Sequence, residues 1–347
     1  MSALALVTGG TGIVGANTVR ALLDAEHKVR VMVRPESDRR GLQDLPVEMV
    51  EGDVLDAPSV AEAMRGCYWV FHCAASFTYG KLNESAQTEL AVQGTINVIR
   101  AAKSAGVRRV VVTSSSVTMG SSSTRRVQNE DSVFLEAQPS AYTLSKVRQE
   151  LAAFEVGSKL GVEVIAVCPT LVMGEYDYRL GPSNGNLVNY LNDPMRCTFL
   201  GGCNVVTGHD VGRAHVTAAR HGVAGSRYLA GGDNIDWKTL HRTVSELTGS
   251  FGPSVVLNHT AAYIAAAAIE AAARLGGRKP SATRDEAQMA CRFYWYDSSR
   301  LAALNWRATS SRQVLAEGVA WVLARGFVSD SVVASLRPSV ELRRFKP

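Results

Sequence analysis

The chain lacks the cysteine pattern of a metal-binding or disulfide-stabilised protein. Its six cysteines show neither C-x-x-C spacing nor a cluster with histidine, and two of them, Cys73 and Cys168, lie in apolar runs. Small buried thiols explain this usage better than cross-links or ligands. We therefore predict no metal site, and reduced thiols favour a cytoplasmic protein.

Long apolar runs and long basic blocks are missing as well. The longest apolar stretch, residues 261–275, is alanine-rich, is interrupted by Glu270 and is too short to cross a bilayer. The N-terminus passes directly into a strand-like run without a signal-peptide pattern. The net charge of +5 comes from 37 basic and 32 acidic residues spread along the chain. We expect no membrane span and no nucleic-acid partner.

What the chain does contain is a regular alternation of β-branched strands and helices. Strands are predicted at 4–7, 28–34, 47–53, 68–75, 108–116 and 161–170, with helices at 15–27, 88–106 and 142–160. This order is typical of an α/β fold with a parallel sheet covered on both faces. After Thr170 the rhythm loosens, and residues 174–205 interrupt it. Residues 235–330 look mostly helical, and the segment after 330 gives no clear pattern.

The first strand runs into the glycine-rich stretch "TGGTGIVG", with Gly9, Gly12 and Gly15 at three-residue spacing. A pyrophosphate at a helix N-terminus needs close approach to backbone N–H groups, which side chains would obstruct. The strand before the glycines and the amphipathic helix after them supply the required context. The sequence therefore predicts a dinucleotide site in a doubly wound sheet of the Rossmann type.

This reading divides the chain into two parts. Residues 1–170 form the dinucleotide-binding domain, and residues 203–232 return to it. Residues 171–202 and 233–330 form a smaller, mostly helical substrate lobe, followed by a tail at 331–347.

The end of the second strand favours NADP(H) over NAD. An NAD site usually places an acidic residue here, to bind the 2′-hydroxyl of the adenosine ribose. This chain has Arg34 instead, with Ser37 and Arg39 just beyond, and a guanidinium suits a 2′-phosphate. Asp53 ends the third strand, where it would meet the adenine edge, although a turn-forming role is a close alternative.

Several motifs occur together in a familiar order: the glycine loop, "FHCAAS", "TSSSVTMG", "YTLSK" and "VCPT", followed by "GHDVGRAH" and "GVAWVLARG". In this combination the chain resembles the extended short-chain dehydrogenase/reductase family, particularly its dihydroflavonol reductase and 3β-hydroxysteroid dehydrogenase-like branch. The resemblance covers about residues 4–325. It implies an oxidoreductase with a Ser-Tyr-Lys site. The cofactor-binding residues that it implies, beside those already named, are Thr11, Ile13, Val14, Val54, Ala74, Ala75, Tyr142, Lys146, Pro169 and Thr170.

The proposed catalytic pair is Tyr142 and Lys146, which one helical turn brings to the same face. Carbonyl reduction requires a proton at oxygen, and a free phenol titrates near ~10. A neighbouring ammonium favours the phenolate and lowers that pKa. The resemblance also implies a serine that holds the substrate oxygen, and counting back from Gly120 selects Ser115, with Ser116 as runner-up.

One position departs from the family pattern. The extended branch often reads "N-V-x-G-T" in the helix before the serine strand, whereas this chain has "AVQGT", with Ala91 in place of the asparagine. A proton relay through a water held by that asparagine is therefore in doubt.

The substrate is the least constrained part of the prediction. Phe77, Tyr79, Tyr176 and Tyr178 could line an apolar pocket for a ring-bearing or alkyl ketone. The preferred function is an NADPH-dependent reductase of a ketone or aldehyde, reversible as an alcohol dehydrogenase. A nucleotide-sugar epimerase or dehydratase is one alternative, and a non-catalytic dinucleotide-sensing protein is another. The partner is then a small carbonyl or alcohol, and a homodimer stays open.

Overall fold

The computed structural model describes residues 3–74, 84–134, 139–277, 280 and 283–345. Its main feature is a seven-stranded sheet with the strand order β11-β7-β5-β4-β1-β2-β3. The strands of the described residues are β1 (Leu4–Thr8), β2 (Lys28–Val33), β3 (Glu48–Glu51), β4 (Trp69–His72), β5 (Arg109–Thr113), β6 (Val127–Gln128), β7 (Glu163–Pro169), β8 (Leu171–Met173), β9 (Cys197–Phe199), β10 (Gly202–Thr207), β11 (Arg227–Ala230), β12 (Asp233–Asp236), β13 (Val255–Leu257) and β14 (Trp295–Tyr296).

Helices connect and cover these strands. They are α1 (Ile13–Asp24), α2 (Ala57–Ala63), α3 (Glu84–Ser104), α4 (Ala141–Leu160), α5 (Pro182–Asn192), α6 (Gly208–His221), α7 (Trp237–Thr248), α8 (His259–Leu275), α9 (Arg284–Ala290), α10 (Ser299–Ala302), α11 (Ser311–Ala324) and α12 (Asp330–Ser335). Short 3₁₀ turns lie at Arg40–Leu42, Ser116–Met119 and Leu342–Arg344. None of the helices described has both the length and the hydropathy that a bilayer crossing requires.

All six strand pairs of the main sheet are parallel, and both of its faces are buried. Successive residues of β4 and β5 alternate between two cores: Phe71 and Val111 face one, whereas Val70 and Val110 face the other. Helices α1 and α6 pack against each other on one side, and α3 and α4 do so on the other. This is the doubly wound α/β fold that the strand–helix alternation predicted, and the prediction is confirmed.

The chain between residues 174 and 205 is more ordered than its composition indicated. It contains α5 and the short strands β9 and β10, where the sequence predicted only an interruption. Helix α5 begins at Pro182, which suits a first helical position, but its Ser, Asn and Gly residues are weak helix formers. Leu187 and Leu191 bury this helix in a third core around Trp321, so packing overrides propensity.

The segments outside the Rossmann sheet also contain more strand than expected. β12, β13 and β14 lie within the region predicted to be mostly helical, and α12 lies in the tail. Beyond residue 170, β11 pairs with β7 at the edge of the main sheet, whereas β10 joins β8 and β12 in a separate sheet. The division of the chain into a cofactor domain and a substrate lobe stays a prediction.

Two glycines of α6 allow it to lie directly against α1. A Cβ at Gly212 would come within 2.3 Å of the Asn17 carbonyl oxygen, and one at Gly208 within 2.3 Å of Asn17 Nδ2. Non-bonded atoms do not approach a Cβ this closely, so larger residues at these two positions would force the helices apart. Because α1 follows the glycine loop, this contact helps to fix the loop in place.

Replacing Gly212 with alanine should therefore destabilise the protein, by about 1–3 kcal/mol for an overpacked backbone contact. Gly185, in the first turn of α5, is the matched control, because a Cβ there would meet nothing within 4 Å. Gly185→Ala should leave stability unchanged or raise it by up to ~1 kcal/mol. Urea unfolding of both variants measures the difference, and a Gly212→Ala variant as stable as the wild type would contradict the close-packing argument.

Candidate active site

The glycine loop joins β1 to α1, and two of its glycines are required by their surroundings. Gly9 has a φ of +71°, and a Cβ there would lie 2.5 Å from the Ala74 backbone nitrogen. A Cβ at Gly15 would lie 2.2 Å from the Gly9 carbonyl oxygen. The loop is therefore folded tightly between the ends of β1 and β4, at the point where the strand order reverses, which is where dinucleotides bind in this fold.

Gly12 serves a different purpose, since its surroundings are open. The nearest atom that a Cβ there would meet is Arg179 Nη2, at 3.6 Å. Gly12 caps α1 without a side-chain hydrogen bond, and Thr11, Ile13 and Val14 are only half-buried. The N–H groups of the first helical turn are thus accessible to an anion, and these residues fit a cofactor pyrophosphate.

The turn after β2 carries the predicted phosphate ligands on the protein surface. Arg34 is exposed, and its Nε lies 3.1 Å from Glu36 Oε1. The backbone N–H of Ser37 donates to the Arg34 carbonyl oxygen over 3.0 Å, and Arg39 pairs with Glu51 at 3.4 Å. Exposed ion pairs of this kind are weak, so both guanidinium groups can exchange a carboxylate for a phosphate.

Arg179 is a residue of this site that the sequence analysis missed. Its guanidinium lies beside Gly12 and also contributes, after the dominant hydrogen bond from Arg40, to the lowered pKa of Asp38. It therefore lies between the glycine loop and the turn after β2. The segment after β8 delivers it from far along the chain, and a lone basic residue there gave no sequence pattern to find.

The predicted adenine contact at Asp53 competes with a local role. Asp53 Oδ1 accepts a hydrogen bond from the Leu55 backbone N–H over 2.9 Å, which is the turn-forming alternative. The neighbouring Val54 is held through its carbonyl oxygen, which accepts from Asn97 Nδ2 over 3.0 Å. The strand β3 ends at Glu51, so Asp53 and Val54 lie just beyond it rather than at its end, and their contact with adenine stays a prediction.

Helix α4 presents the Tyr-Lys pair. Ser140 caps the helix by accepting a hydrogen bond from the Thr143 backbone N–H over 3.2 Å, so that Tyr142 lies in the first turn and Lys146 in the second. The Tyr142 side chain reaches the surface, with 36% of the residue exposed, whereas Lys146 is only 7% exposed. The pair therefore places a phenol at the site entrance and an ammonium beneath it.

The Lys146 ammonium is held by uncharged acceptors. Its Nζ donates to the Thr113 carbonyl oxygen over 3.1 Å and to Gln149 Oε1 over 3.0 Å. Burial lowers its pKa to about 8. An ammonium has three N–H donors, and the described residues account for two of them. The third donor is the one that could reach a phenol or a ribose hydroxyl.

The three candidate serines at the end of β5 have different partners. The Ser114 hydroxyl donates to the buried Glu150 carboxylate. Ser115 caps the following 3₁₀ turn, and its Oγ accepts from the Val117 N–H over a long 3.4 Å. Ser116 begins that turn and is buried. The Ser114 hydroxyl is thus engaged in a hydrogen bond to Glu150. The assignment of Ser115 as the catalytic serine, with Ser116 as the runner-up, stays a prediction.

The end of β7 contributes the last cofactor candidates. Pro169 is the final residue of the strand, and the Thr170 N–H donates to the Ala230 carbonyl oxygen over 3.2 Å. The buried Thr170 hydroxyl has no hydrogen-bond partner among the described residues. A buried hydroxyl rarely stays unpaired, so Thr170 fits a position that a bound ligand completes. Ala75 lies outside the described residues.

The aromatic residues proposed for the substrate pocket are only partly described. Phe77 and Tyr79 lie outside the described residues. The Tyr176 ring lies under the Arg20 guanidinium, 3.4 Å from Cζ, and Tyr178 packs edge-on against Trp321 at 5.1 Å. A Cβ on Gly41 would touch Tyr178 at 3.6 Å.

These contacts place the two tyrosines beside α1 and the turn after β2. The proposed Ser-Tyr-Lys site lies at the end of β5, three strands away in the order β5-β4-β1-β2, or roughly 14 Å. The described neighbours of Tyr176 and Tyr178 therefore lie near the predicted phosphate ligands and not near the proposed Ser-Tyr-Lys site. A substrate role for them stays a prediction.

Comparisons with known proteins agree with this geometry. The model of the NAD dependent epimerase/dehydratase family matches residues 5–231. A putative dihydroflavonol 4-reductase from Synechocystis sp. is 31% identical over 328 residues, which cover 93% of this chain and 95% of that protein. Cinnamoyl-CoA reductase 1 from Oryza sativa subsp. japonica is 32% identical, over 70% of this chain and 75% of its own. The crystal structure of gox2253 aligns with a TM-score of 0.83 at 29% identity, covering 94% of this chain and 100% of that one.

The buried ammonium predicts a pH dependence of stability in the cofactor-free protein. The pKa of Lys146 falls from 10.5 to about 8 on folding, so the unfolded chain binds the extra proton between these values. The cost of burying the charge is present below pH 8 and disappears as the pH rises towards 10.5. The free energy of unfolding of Lys146→Met, relative to that of the wild type, should therefore be about 2 kcal/mol higher at pH 7 than at pH 10. Urea unfolding at the two pH values measures this difference.

Lys159→Met is the matched control, because Lys159 lies on the same helix with 70% of its side chain exposed and pairs with Glu155. Its stability difference from wild type should change little between the two pH values. If the stability of Lys146→Met relative to wild type also changed little between pH 7 and pH 10, the Lys146 charge would not be buried.

Proposed function

Because this chain belongs to the NAD-dependent epimerase/dehydratase family, in its extended short-chain dehydrogenase/reductase branch, we propose that it is an NADPH-dependent reductase of a ketone or aldehyde. The reaction is reversible, so the same site oxidises the corresponding alcohol. The observation that carries this proposal is the buried Lys146 ammonium, bound by neutral acceptors, one helical turn after Tyr142.

Tyr142 is proposed as the general acid. Its phenol donates a proton to the carbonyl oxygen during reduction and accepts one from the alcohol during oxidation. The Lys146 ammonium stabilises the phenolate, which lowers the pKa of the phenol towards neutral pH. Its effect is strong because the ammonium lies in a poorly solvated environment.

Ser115 is proposed to hold the substrate oxygen. Its Oγ lies at the carboxyl end of β5, next to Thr113, whose carbonyl oxygen binds Lys146. The hydroxyl is only weakly engaged with the Val117 N–H, so it can donate to a ligand. A donor placed there stabilises the negative charge that develops on the oxygen.

NADPH is the proposed cofactor, and when bound it supplies the hydride. Gly12, the open N-terminus of α1 and Arg179 would hold its pyrophosphate. Arg34, Ser37 and Arg39 would hold the 2′-phosphate, because the turn after β2 offers two exposed guanidinium groups and no acidic residue in the place of Arg34. Thr170, whose hydroxyl has no hydrogen-bond partner among the described residues, directly follows β7 and would contact the nicotinamide end of the cofactor.

The proposed substrate is an apolar or ring-bearing carbonyl compound. The two reductases compared above are named for substrates that carry an aromatic ring. This favours a reductase over the epimerase or dehydratase alternative, and the Tyr-Lys pair disfavours a non-catalytic sensor. We also propose a cytoplasmic location, which the six free cysteines support.

Screening ketones, aldehydes and secondary alcohols for NADPH consumption or NADP⁺ reduction tests the proposal. The decisive variant is Tyr142→Phe, which should lower kcat at least about 100-fold, as expected for loss of a general acid. NADPH affinity should change little, because the phenol acts in proton transfer. Tyr68→Phe is the control, since Tyr68 is similarly exposed at 47% and lies before the amino end of β4. Turnover of Tyr142→Phe comparable to the control would exclude Tyr142 as the acid.

The cofactor preference is tested by Arg34→Asp. Loss of a charge-assisted contact to the phosphate should lower kcat/KM for NADPH about ten- to a hundredfold, while the new carboxylate can accept from the ribose hydroxyl of NADH. The preference should therefore reverse. Arg108→Asp is the control, because Arg108 has a comparable exposure of 56% and a surface ion pair to Glu163, but lies at the opposite end of the strands. Equal kcat/KM for both cofactors in the wild type would exclude the role of Arg34.

A further inference from the structure

A chain of buried hydrogen bonds extends from Lys146 into the core. Gln149 Oε1 accepts from the Lys146 ammonium over 3.0 Å, and Gln149 Nε2 donates to Thr95 Oγ1 over 3.0 Å. Thr95 Oγ1 in turn donates to the Ala91 carbonyl oxygen over 2.9 Å. Gln149 is 2% exposed and Thr95 is fully buried.

His72 and Thr8 complete this chain. His72 Nε2 lies 3.1 Å from Thr95 Oγ1, and His72 Nδ1 lies 2.8 Å from Thr8 Oγ1. Burial lowers the pKa of His72 to about 3, so the ring is neutral at physiological pH. The sequence analysis offered no role for Gln149, because nothing in one sequence shows that it lies between Lys146 and Thr95.

The chemistry of the donors fixes the orientation of the Gln149 amide. Lys146 can only donate, so the amide oxygen of Gln149 must face it and the amide NH₂ must face Thr95. The Thr95 hydroxyl donates to the Ala91 carbonyl oxygen, and in the His72 tautomer with its hydrogen on Nε2 it also accepts from His72. Thr8 then donates to His72 Nδ1. Each buried group has its partner, and no alternative orientation of the Gln149 amide satisfies Lys146.

Among the described residues no carboxylate forms an ion pair with Lys146, although Glu150 interacts electrostatically with its charge. Cys73 and Cys168 face it from β4 and β7, and burial raises the pKa of both thiols, so they stay neutral. Glu150, on the same helix, is bound by Ser114, Thr118 and Arg227 instead. With His72 neutral as well, Tyr142 is the remaining titratable group of the site that can respond to the ammonium.

We propose that Gln149 is the positioning residue of Lys146. Its carboxamide, anchored by Thr95 and His72, keeps the ammonium charged and directs its third N–H bond towards Tyr142 and the cofactor ribose. The anchor ends on the carbonyl oxygen of Ala91, the position where this chain lacks the asparagine of the family pattern. This inference rests on the proposed function for its effect on turnover, but its effect on Lys146 can be measured without turnover.

The first experiment measures the pKa of Lys146 directly, by ¹³Cε NMR of lysine-labelled, cofactor-free protein, with Lys146→Met to assign the resonance. The wild-type value should be about 8. Gln149→Met removes an acceptor from a buried ammonium, so it should lower the pKa of Lys146 by about one unit. Thr95→Val should lower it in the same direction, whereas Thr95→Ser, which keeps the hydroxyl, should restore the wild-type value.

Thr248→Val is the matched control. Thr248 is fully buried and, like Thr95, donates to the carbonyl oxygen of the residue four positions earlier, at 2.8 Å, but it lies in α7. It should leave the pKa of Lys146 unchanged while reporting the general effect of removing a buried hydroxyl. Thermal unfolding of each variant confirms that it is folded.

The second experiment measures the pH dependence of kcat for alcohol oxidation, which rises as Tyr142 loses its proton. A lower pKa of Lys146 weakens the stabilisation of the phenolate, so the pKa of Tyr142 should rise. The rising limb of the kcat–pH profile should therefore move to higher pH in Gln149→Met and Thr95→Val. A lower kcat with an unmoved limb would indicate a merely structural role and overturn the proposal. So would an unchanged Lys146 titration in Gln149→Met. Full turnover in Tyr142→Phe would instead overturn the proposed function and leave the NMR result intact.

Discussion

A positive charge that is buried without an ion pair among the described residues is the constraint on which this candidate site depends. The Lys146 ammonium lies between the end of β5, the second turn of α4 and the polar side chains that α3 and β4 provide. Such a charge is costly to bury, and the protein offsets this cost with oriented dipoles rather than a carboxylate. We therefore expect the ammonium to act on a group that enters next to it.

Much of this architecture could be predicted from the sequence, because local patterns encode it. β-branched runs specify the buried strands, and the glycine spacing specifies a tight strand–helix turn. Gly9 and Gly15 are required by close backbone contacts, which is why their spacing was informative. The spacing of Tyr142 and Lys146 is likewise a local property, since one helical turn relates them.

The features that could not be predicted depend on contacts between distant parts of the chain. Arg179 reaches the glycine loop from more than 160 positions away. Gln149 of α4 donates a hydrogen bond to Thr95 of α3. Neither residue type is unusual in its local sequence. Helix α5 was missed for a related reason: its stability comes from the buried Leu187 and Leu191, not from the propensities of its polar residues. Tertiary packing decides these cases, and one sequence does not display it.

The close contact between α1 and α6 has a consequence for how the protein is made. The helix that follows the glycine loop is covered by residues 208–221, and one outer strand of the sheet is formed by residues 227–230. A nascent chain that has emerged only as far as residue 170 thus lacks α6, which covers α1, and β11, which pairs with the outer edge of β7. The seven-stranded sheet cannot be completed until about two thirds of the protein has been synthesised, so the apolar surfaces that α6 and β11 cover stay exposed during that interval.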